Sequence, residues 1–300
     1  MSPLRQALED YLAVRRSLGF KLERDGLLLG QYLTWLEGQG TATITADNAL
    51  AWVTLPAAAG GAWLTMRMSV VRGFAAYART LDQRHQVPPA GLLPPRRHRA
   101  VPYLYSAADI AALITAAGSL RYPLRAATYQ ALIALLSVTG LRIGEAISLD
   151  DGDFDSGHEM LTVRNGKFGK SRLIPLHPST AAALRGYQRH RRELKPRPVT
   201  PALFVSTPGR RLAYVNVSQT FVILVRKAGL TARSASCHPR LHDLRHSFAV
   251  ATLLDWYRDG SDVAARLPLL STYLGHADPK NTYWYYSDSR VIPKPAPLHA

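Results

Sequence analysis

Apolar residues recur at helical spacing through most of this chain. In residues 3–18, Leu4, Leu8, Tyr11, Leu12 and Val14 form one stripe, and Gly19 follows as a stop. Residues 23–36 carry Leu27, Leu28, Tyr32 and Leu36, and end at the Gly38–Gly40 pair. Thr45 is placed to cap a short helix through Trp52 and Val53 that halts near Pro56. After Gly60 and Gly61, residues 62–81 predict a long helix. Trp63, Met66, Val70, Phe74 and Tyr77 lie on one side of it, and Arg67, Arg72 and Arg79 fall largely elsewhere. The first part of the chain is therefore expected to be a bundle of about four helices with these stripes as its core.

Residues 87–102 hold five prolines and the run Arg96-Arg97-His98-Arg99. Proline favours an extended connection, so this stretch marks a boundary: a helical domain over 1–86, a basic linker over 87–103, and a second domain over 104–300. In the second domain Ser106 and Asp109 have capping-box spacing, and residues 123–137 form an apolar helix ending at Thr139-Gly140. Arg142 and Glu145 follow, one helical turn apart. Residues 159–176 alternate like two strands around Asn165-Gly166, a hairpin signal whose tip carries Lys167 and Lys170. A helix over about 179–192, a short strand at 203–206 and an amphipathic helix over 216–228 complete the approach to residues 241–287. The fold class is mostly α with a small β-sheet or hairpin.

Three hundred residues favour two domains. The net charge of +16 and pI near 10.3 point to a polyanionic partner, and the cationic excess is spread over the whole length. That distribution suits a protein that surrounds its polyanion. Cys237 is the sole cysteine, which excludes an intramolecular disulfide and argues against a Cys-based zinc site. No apolar run approaches the roughly 20 residues of a membrane helix and no signal pattern opens the chain, so a cytoplasmic protein is expected.

The chemistry concentrates in LHDLRHSFA (241–249), YLGHADPKNT (273–282) and YWYYS (283–287). His242, Arg245, His276 and Tyr285 combine imidazoles, a guanidinium and a phenol without an acidic metal cluster, which suggests covalent phosphoryl chemistry at tyrosine. Arg142 and Arg245 can each donate two hydrogen bonds to a phosphate and clamp a pentacoordinate state. Lys167, beside other cations, is a candidate general acid, and His242 and His276 can donate to phosphate oxygens or accept the phenol proton. Singly each has an ordinary reading: a surface arginine, a turn lysine, a helix-capping histidine, a core tyrosine. Tyr283 and Tyr286 flank Tyr285, and spacing alone does not choose among the three. Lys170 is likewise an alternative to Lys167. There is no phosphate loop, Rossmann glycine pattern or HExxH motif. Asp150, Asp151, Asp153 and Asp155 lack an EF-hand's Gly and terminal Glu, and read as a solvated loop.

Taken together, TGLRIGEAISL, NGKFGKSRLIPL, LHDLRHSFA, YLGH and the closing tyrosine resemble the tyrosine recombinase (phage integrase) family over residues 104–287. The resemblance implies that Arg142 is the family's first arginine, Lys167 its hairpin lysine, His242 and Arg245 its His-x-x-Arg pair, and His276 its Leu-Gly-His histidine. The family's nine-residue interval after that histidine selects Tyr285 as nucleophile, with Tyr286 next, and Glu145 takes a supporting position. The helical first domain resembles the family's core-binding domain. A C-shaped clamp on double-stranded DNA is implied, as are a 3′-phosphotyrosyl intermediate with a free 5′-hydroxyl, no need of metal or ATP, and a homotetramer on paired sites. Residues 287–300 depart from the pattern: three prolines stand where members commonly have a helix. The leading expectation is a site-specific DNA recombinase. The alternatives are a type IB topoisomerase-like enzyme and a DNA-binding accessory protein without turnover.

Overall fold

Four helices pack around a leucine- and aromatic-rich centre at the start of the chain: α1 (Pro3–Ser17), α2 (Glu23–Gly38), α3 (Ala46–Thr54) and α4 (Gly61–Leu81). The computed structural model describes residues 2–56, 59–93, 101–164, 171–276, 278 and 280–287, and the chain divides into units at 1–99 and 100–300. Ser2 and Thr45 cap α1 and α3, the latter through a reciprocal box with Asn48. Tyr32, fully buried, donates its phenol to Asn48 Oδ1 at 2.7 Å, tying α2 to that cap.

Two predicted helix faces are rotated in the fold. On α2 the inward residues are Leu28, Leu29, Tyr32, Leu33 and Leu36, while Leu27 is 71% exposed. On α4 they are Met68, Val71, Phe74, Ala75 and Ala78, and Trp63 is partly exposed. Arg67, expected off the core face, is buried: its guanidinium lies 3.7 Å over the Trp52 ring and donates to the Trp52 carbonyl at 2.8 Å. A cation is tolerated there because an aromatic face and a carbonyl near the end of α3 receive it.

The second unit is built on α6 (Pro123–Thr139), whose buried Leu132, Ile133 and Leu136 face α5 (Ala107–Gly118), α8 (Pro178–Leu194) and α10 (Asp243–Arg258). Short α7 (Ile143–Ser148) leads through a 3-10 turn to a sheet of β1 (Phe154–Asp155), β2 (Met160–Val163) and β3 (Arg172–Pro175), all antiparallel in that order. Leu161 pairs with Phe154 and with Ile174, and Val163 with Arg172. The hairpin tip, with Asn165, Gly166, Lys167 and Lys170, lies outside the described residues, as do residues 94–100 of the linker and 288–300 of the tail.

Residues 203–206 form no strand. Ala202 and Val205 make single bridges to Asp150 and Arg211, and Leu203, Phe204 and Val205 are fully buried. The acidic run is a solvated loop only in part: Asp155 is exposed beside His158, while the other three are engaged by arginines. Asp150 pairs with Arg211, Asp151 with Arg191 at 2.8 Å, and Asp153, itself buried, with Arg164 at 2.6 Å.

After α9 (Tyr214–Lys227), α10 packs with α11 (Val263–Leu274) and α12 (Lys280–Ser287) around a separate apolar cluster of Val250, Leu253, Leu267, Leu270, Leu274 and Tyr285. Gly140 ends α6 with φ at +59°, where a Cβ would lie 2.5 Å from the Phe248 ring of α10. Both the left-handed backbone and that close approach require glycine. Gly140→Ala is expected to lower unfolding free energy by about 2 kcal/mol or more, from positive-φ strain plus overpacking, in urea titrations. A loss of a few tenths would contradict this reading of the turn.

Candidate active site

The end of α11 gathers the site. Gly275 takes a left-handed conformation (φ +67°), its N–H bonds the Thr272 carbonyl at 2.9 Å and the His276 N–H bonds Ser271 at 3.0 Å. This is the Schellman arrangement that glycine allows after a helix. It leaves the carbonyls of Tyr273, Leu274 and Gly275 at the negative end of the helix for other donors.

Three guanidiniums from three elements take them. Arg245, in the first turn of α10 and 2% exposed, donates to Leu274 O at 2.6 Å and to Gly140 O at 2.7 Å. Arg142, just before α7, donates to Gly275 O at 2.9 Å and more weakly to Leu274 O at 3.4 Å. Arg172, at the start of β3, donates to Tyr273 O at 2.9 Å.

Glu145 sits among them. Its carboxylate accepts from Arg172 at 2.9 and 3.1 Å, from the Arg142 guanidinium at 2.8 Å and from the Arg142 backbone N–H at 3.0 Å. Burial works to raise this carboxyl, but the Arg172 guanidinium and the Arg142 donors outweigh it and hold it at about 2. Burial, reinforced by the charge of Arg142, lowers Arg245 to about 10, so it stays protonated at neutral pH. Three cations around one anion leave a surplus of positive charge.

His276 follows immediately, its Nδ1 2.7 Å from Thr282 Oγ1. Burial, then the charges of Arg245 and Arg142, hold it down to about 4, and it is neutral at pH 7. Tyr285, on α12 and 2% exposed, stacks with the His276 ring at 6.5 Å between centroids. Its hydroxyl lies 2.6 Å from His246 Nδ1. His242 is the residue before α10, and its ring meets His246 edge-on at 4.8 Å. Tyr283 is exposed, and the Tyr286 side chain lies outside the described residues.

Arg142, Glu145, His242, Arg245, His276 and Tyr285 are thus brought together from four segments, and Lys167 lies outside the described residues. Arg172 and His246 were not expected here. Arg172 reads as a strand residue, and its partner Glu145 is 27 positions earlier. His246 had a usable signal: it follows His242 by four residues, one turn along the same helix. The neighbouring Ser247 hydroxyl is committed to the backbone of Tyr105 and Asp243. Among the described residues there is no group of three or more His, Cys, Asp or Glu side chains able to hold a metal ion.

Residues 106–290 match the phage integrase family. The chain is 45% identical to the Sinorhizobium fredii protein y4rB, by name a candidate integrase/recombinase, across 99% of its own length and 96% of the relative. It is 31% identical to tyrosine recombinase XerC of Mycobacterium leprae, across 86% of its length and 84% of that protein. In fold it is similar to the Tn1549 transposon integrase in complex with circular intermediate DNA, with a TM-score of 0.66 at 20% identity over 94% of this chain and 95% of that one. It is also similar to a lambda integrase tetramer bound to a Holliday junction, with a TM-score of 0.64 at 18% identity over 99% of this chain and 80% of that one.

Glu145→Ala is expected to cost about 3 kcal/mol, because it strands two guanidiniums beside a third. Urea unfolding measures this, and a change below 1 kcal/mol would contradict the bridge. His276 binds its proton near pH 4 in the fold against 6.5 ordinarily, so the unfolded chain holds more protons between those values. Stability conferred at His276 is therefore full above pH 6.5 and declines as pH falls toward 4. The stability difference between the native chain and His276→Gln is expected to shift against the native chain across that window, and a flat difference would contradict it.

Proposed function

We propose that this chain, which belongs to the phage integrase family, is a tyrosine-type site-specific DNA recombinase whose nucleophile is Tyr285. It breaks and rejoins double-stranded DNA. The observation that carries the residue assignment is the convergence of Arg142, Arg172 and Arg245 on the carbonyls that end α11, with Glu145 shared by the first two, immediately before His276 and beside a buried phenol. A phosphodiester placed against this surplus would supply the missing negative charge.

The Tyr285 oxygen attacks the scissile phosphorus and forms a 3′-phosphotyrosyl bond as the P–O5′ bond breaks. Arg142 and Arg245 hold the non-bridging oxygens, where charge grows in the transition state; removing one such donor commonly costs about 10²–10³-fold in rate. Glu145 acts through them: it fixes the Arg142 guanidinium without neutralising the whole cluster. His276, neutral at pH 7, donates from Nε2–H when its Nδ1 accepts the Thr282 hydroxyl, and His242 has the same capacity. Lys167 is our candidate for protonating the departing 5′-oxygen. A free 5′-hydroxyl then attacks the phosphotyrosine, which conserves bond energy, so the cycle calls for no nucleotide cofactor.

On this reading residues 1–86 form a DNA-binding domain, 87–103 a basic connection and 104–300 the catalytic domain. Action on paired sites calls for several copies of the chain, and a homotetramer is our reading of the assembly. Phosphate contacts by the dispersed cations would make the affinity fall steeply with salt.

Tyr285→Phe is expected to bind its recombination site with unchanged affinity and to form no covalent adduct on a nicked substrate, as read by denaturing gels. Equal adduct formation would reject Tyr285 and move the assignment to Tyr286.

A further inference from the structure

Tyr285 poses a proton problem. Its phenol must lose a proton to attack phosphorus, yet the side chain is 2% exposed and bulk water has almost no access to it. A basic atom lies within reach of its hydroxyl: His246 Nδ1, at 2.6 Å. His246 is itself 8% exposed and its ring centroid lies 5.3 Å from that of Tyr285. By contrast the His276 ring is stacked 6.5 Å away, centroid to centroid, and its Nδ1 is engaged by Thr282.

We propose that His246 is a catalytic residue that receives the Tyr285 proton during strand cleavage and returns it during rejoining. This rests on Tyr285 being the nucleophile. The transfer requires the tautomer in which the phenol donates to Nδ1 and the imidazole hydrogen is on Nε2. As the Tyr285 oxygen bonds to phosphorus, its O–H bond breaks and the proton passes to Nδ1, giving an imidazolium. The P–O5′ bond breaks in the same displacement, and the 5′-oxygen takes a separate proton from the general acid. When a 5′-hydroxyl attacks in the reverse direction, it gives its proton back to the general acid as the P–O5′ bond forms, and the departing phenolate recovers its own proton from His246.

The charges around the pair make this transfer conditional on substrate. His242, the residue before α10, lies 4.8 Å from His246 ring to ring, and Arg245 is the residue preceding His246. His276 lies on the far side of Tyr285, and Arg142 and Arg172 surround Arg245 through Glu145 and the α11 carbonyls. Asp243, on the first turn of α10, is paired with Arg240. The guanidiniums favour a phenolate and oppose an imidazolium. A bound phosphate offsets their charge and relieves that opposition, so the proton moves readily only with DNA in place.

The test uses the full chain and a nicked duplex carrying its recombination site, located by mapping covalent attachment on DNA flanking its own gene. His246→Ala is expected to slow single-turnover attachment at pH 7 by about 10²-fold with DNA affinity unchanged, at a temperature where its thermal unfolding shows the variant to be folded. His246→Asn, whose Oδ1 can accept the phenol hydrogen bond without taking a proton, is expected to be similarly slow. A more acidic difluorotyrosine at position 285 is expected to restore most of the lost rate in both variants, and to leave the lower limb of the pH–rate profile in place in the unsubstituted chain. Attachment by either variant as fast as, or faster than, the parent would overturn the proposal, the faster case marking the contact as a latch. A pH limb in the parent that moves down with the acidity of the phenol would overturn it too, and needs no His246 variant to fold. Peptide mapping of the parent adduct separates the two levels: DNA on Tyr286 rejects the nucleophile and this inference together. DNA on Tyr285 with unaltered His246 variants rejects this inference alone.

Discussion

Everything at the centre of the second unit depends on the C-terminal carbonyls of α11 accepting three arginines. Guanidiniums repel one another, and burying them without partners would cost several kcal/mol each. Tyr273, Leu274 and Gly275 offer the partial negative charge of a helix end, and Glu145 offers a full one. That is enough to hold Arg142, Arg172 and Arg245 in register, and too little to neutralise them. The cluster is therefore organised yet electrostatically incomplete, which on the proposed function is the condition for preorganised stabilisation of a phosphoryl transition state.

The fold serves that balance at two glycines. Gly140 closes α6 in the left-handed region against Phe248 and presents its carbonyl to Arg245. Gly275 closes α11 in the same region, with a missing Cβ whose place would lie 2.8 Å from the Arg172 guanidinium. A side chain at either position would push apart the groups that must meet. The helices behind them are ordinary in their packing, and their leucines set the distance between segments as far apart in sequence as Arg142 and His276.

Much of this was legible in the chain, and the misses have physical causes. Helix positions follow from apolar spacing and from Ser and Thr caps, because those signals are local. Which side of a helix faces inward is decided by its neighbours: Leu27 points outward despite its apolar stripe, and Arg67 is buried because Trp52 and its carbonyl receive it. Residues 203–206 have strand composition, but they find partners only at single positions. The aspartates at 150–153 looked solvated because Arg164, Arg191 and Arg211, which neutralise them, lie 11 to 61 residues away. Arg172 was hidden in the same way, since an alternating strand pattern does not reveal which residue a long cation will reach. The gathering of Arg142, His242, Arg245, His276 and Tyr285 could be anticipated only through linked motifs, as no periodicity ties those segments together.

The most direct measurement is single-turnover attachment to a nicked substrate whose scissile phosphate is replaced by a neutral methylphosphonate, comparing Arg142→Ala with the parent. If the arginine cluster acts by opposing charge on the phosphate, the variant loses about 10²–10³-fold on the natural phosphodiester and far less on the neutral one. An equal loss on both substrates would mean that Arg142 matters for shape alone, and the electrostatic account would be wrong.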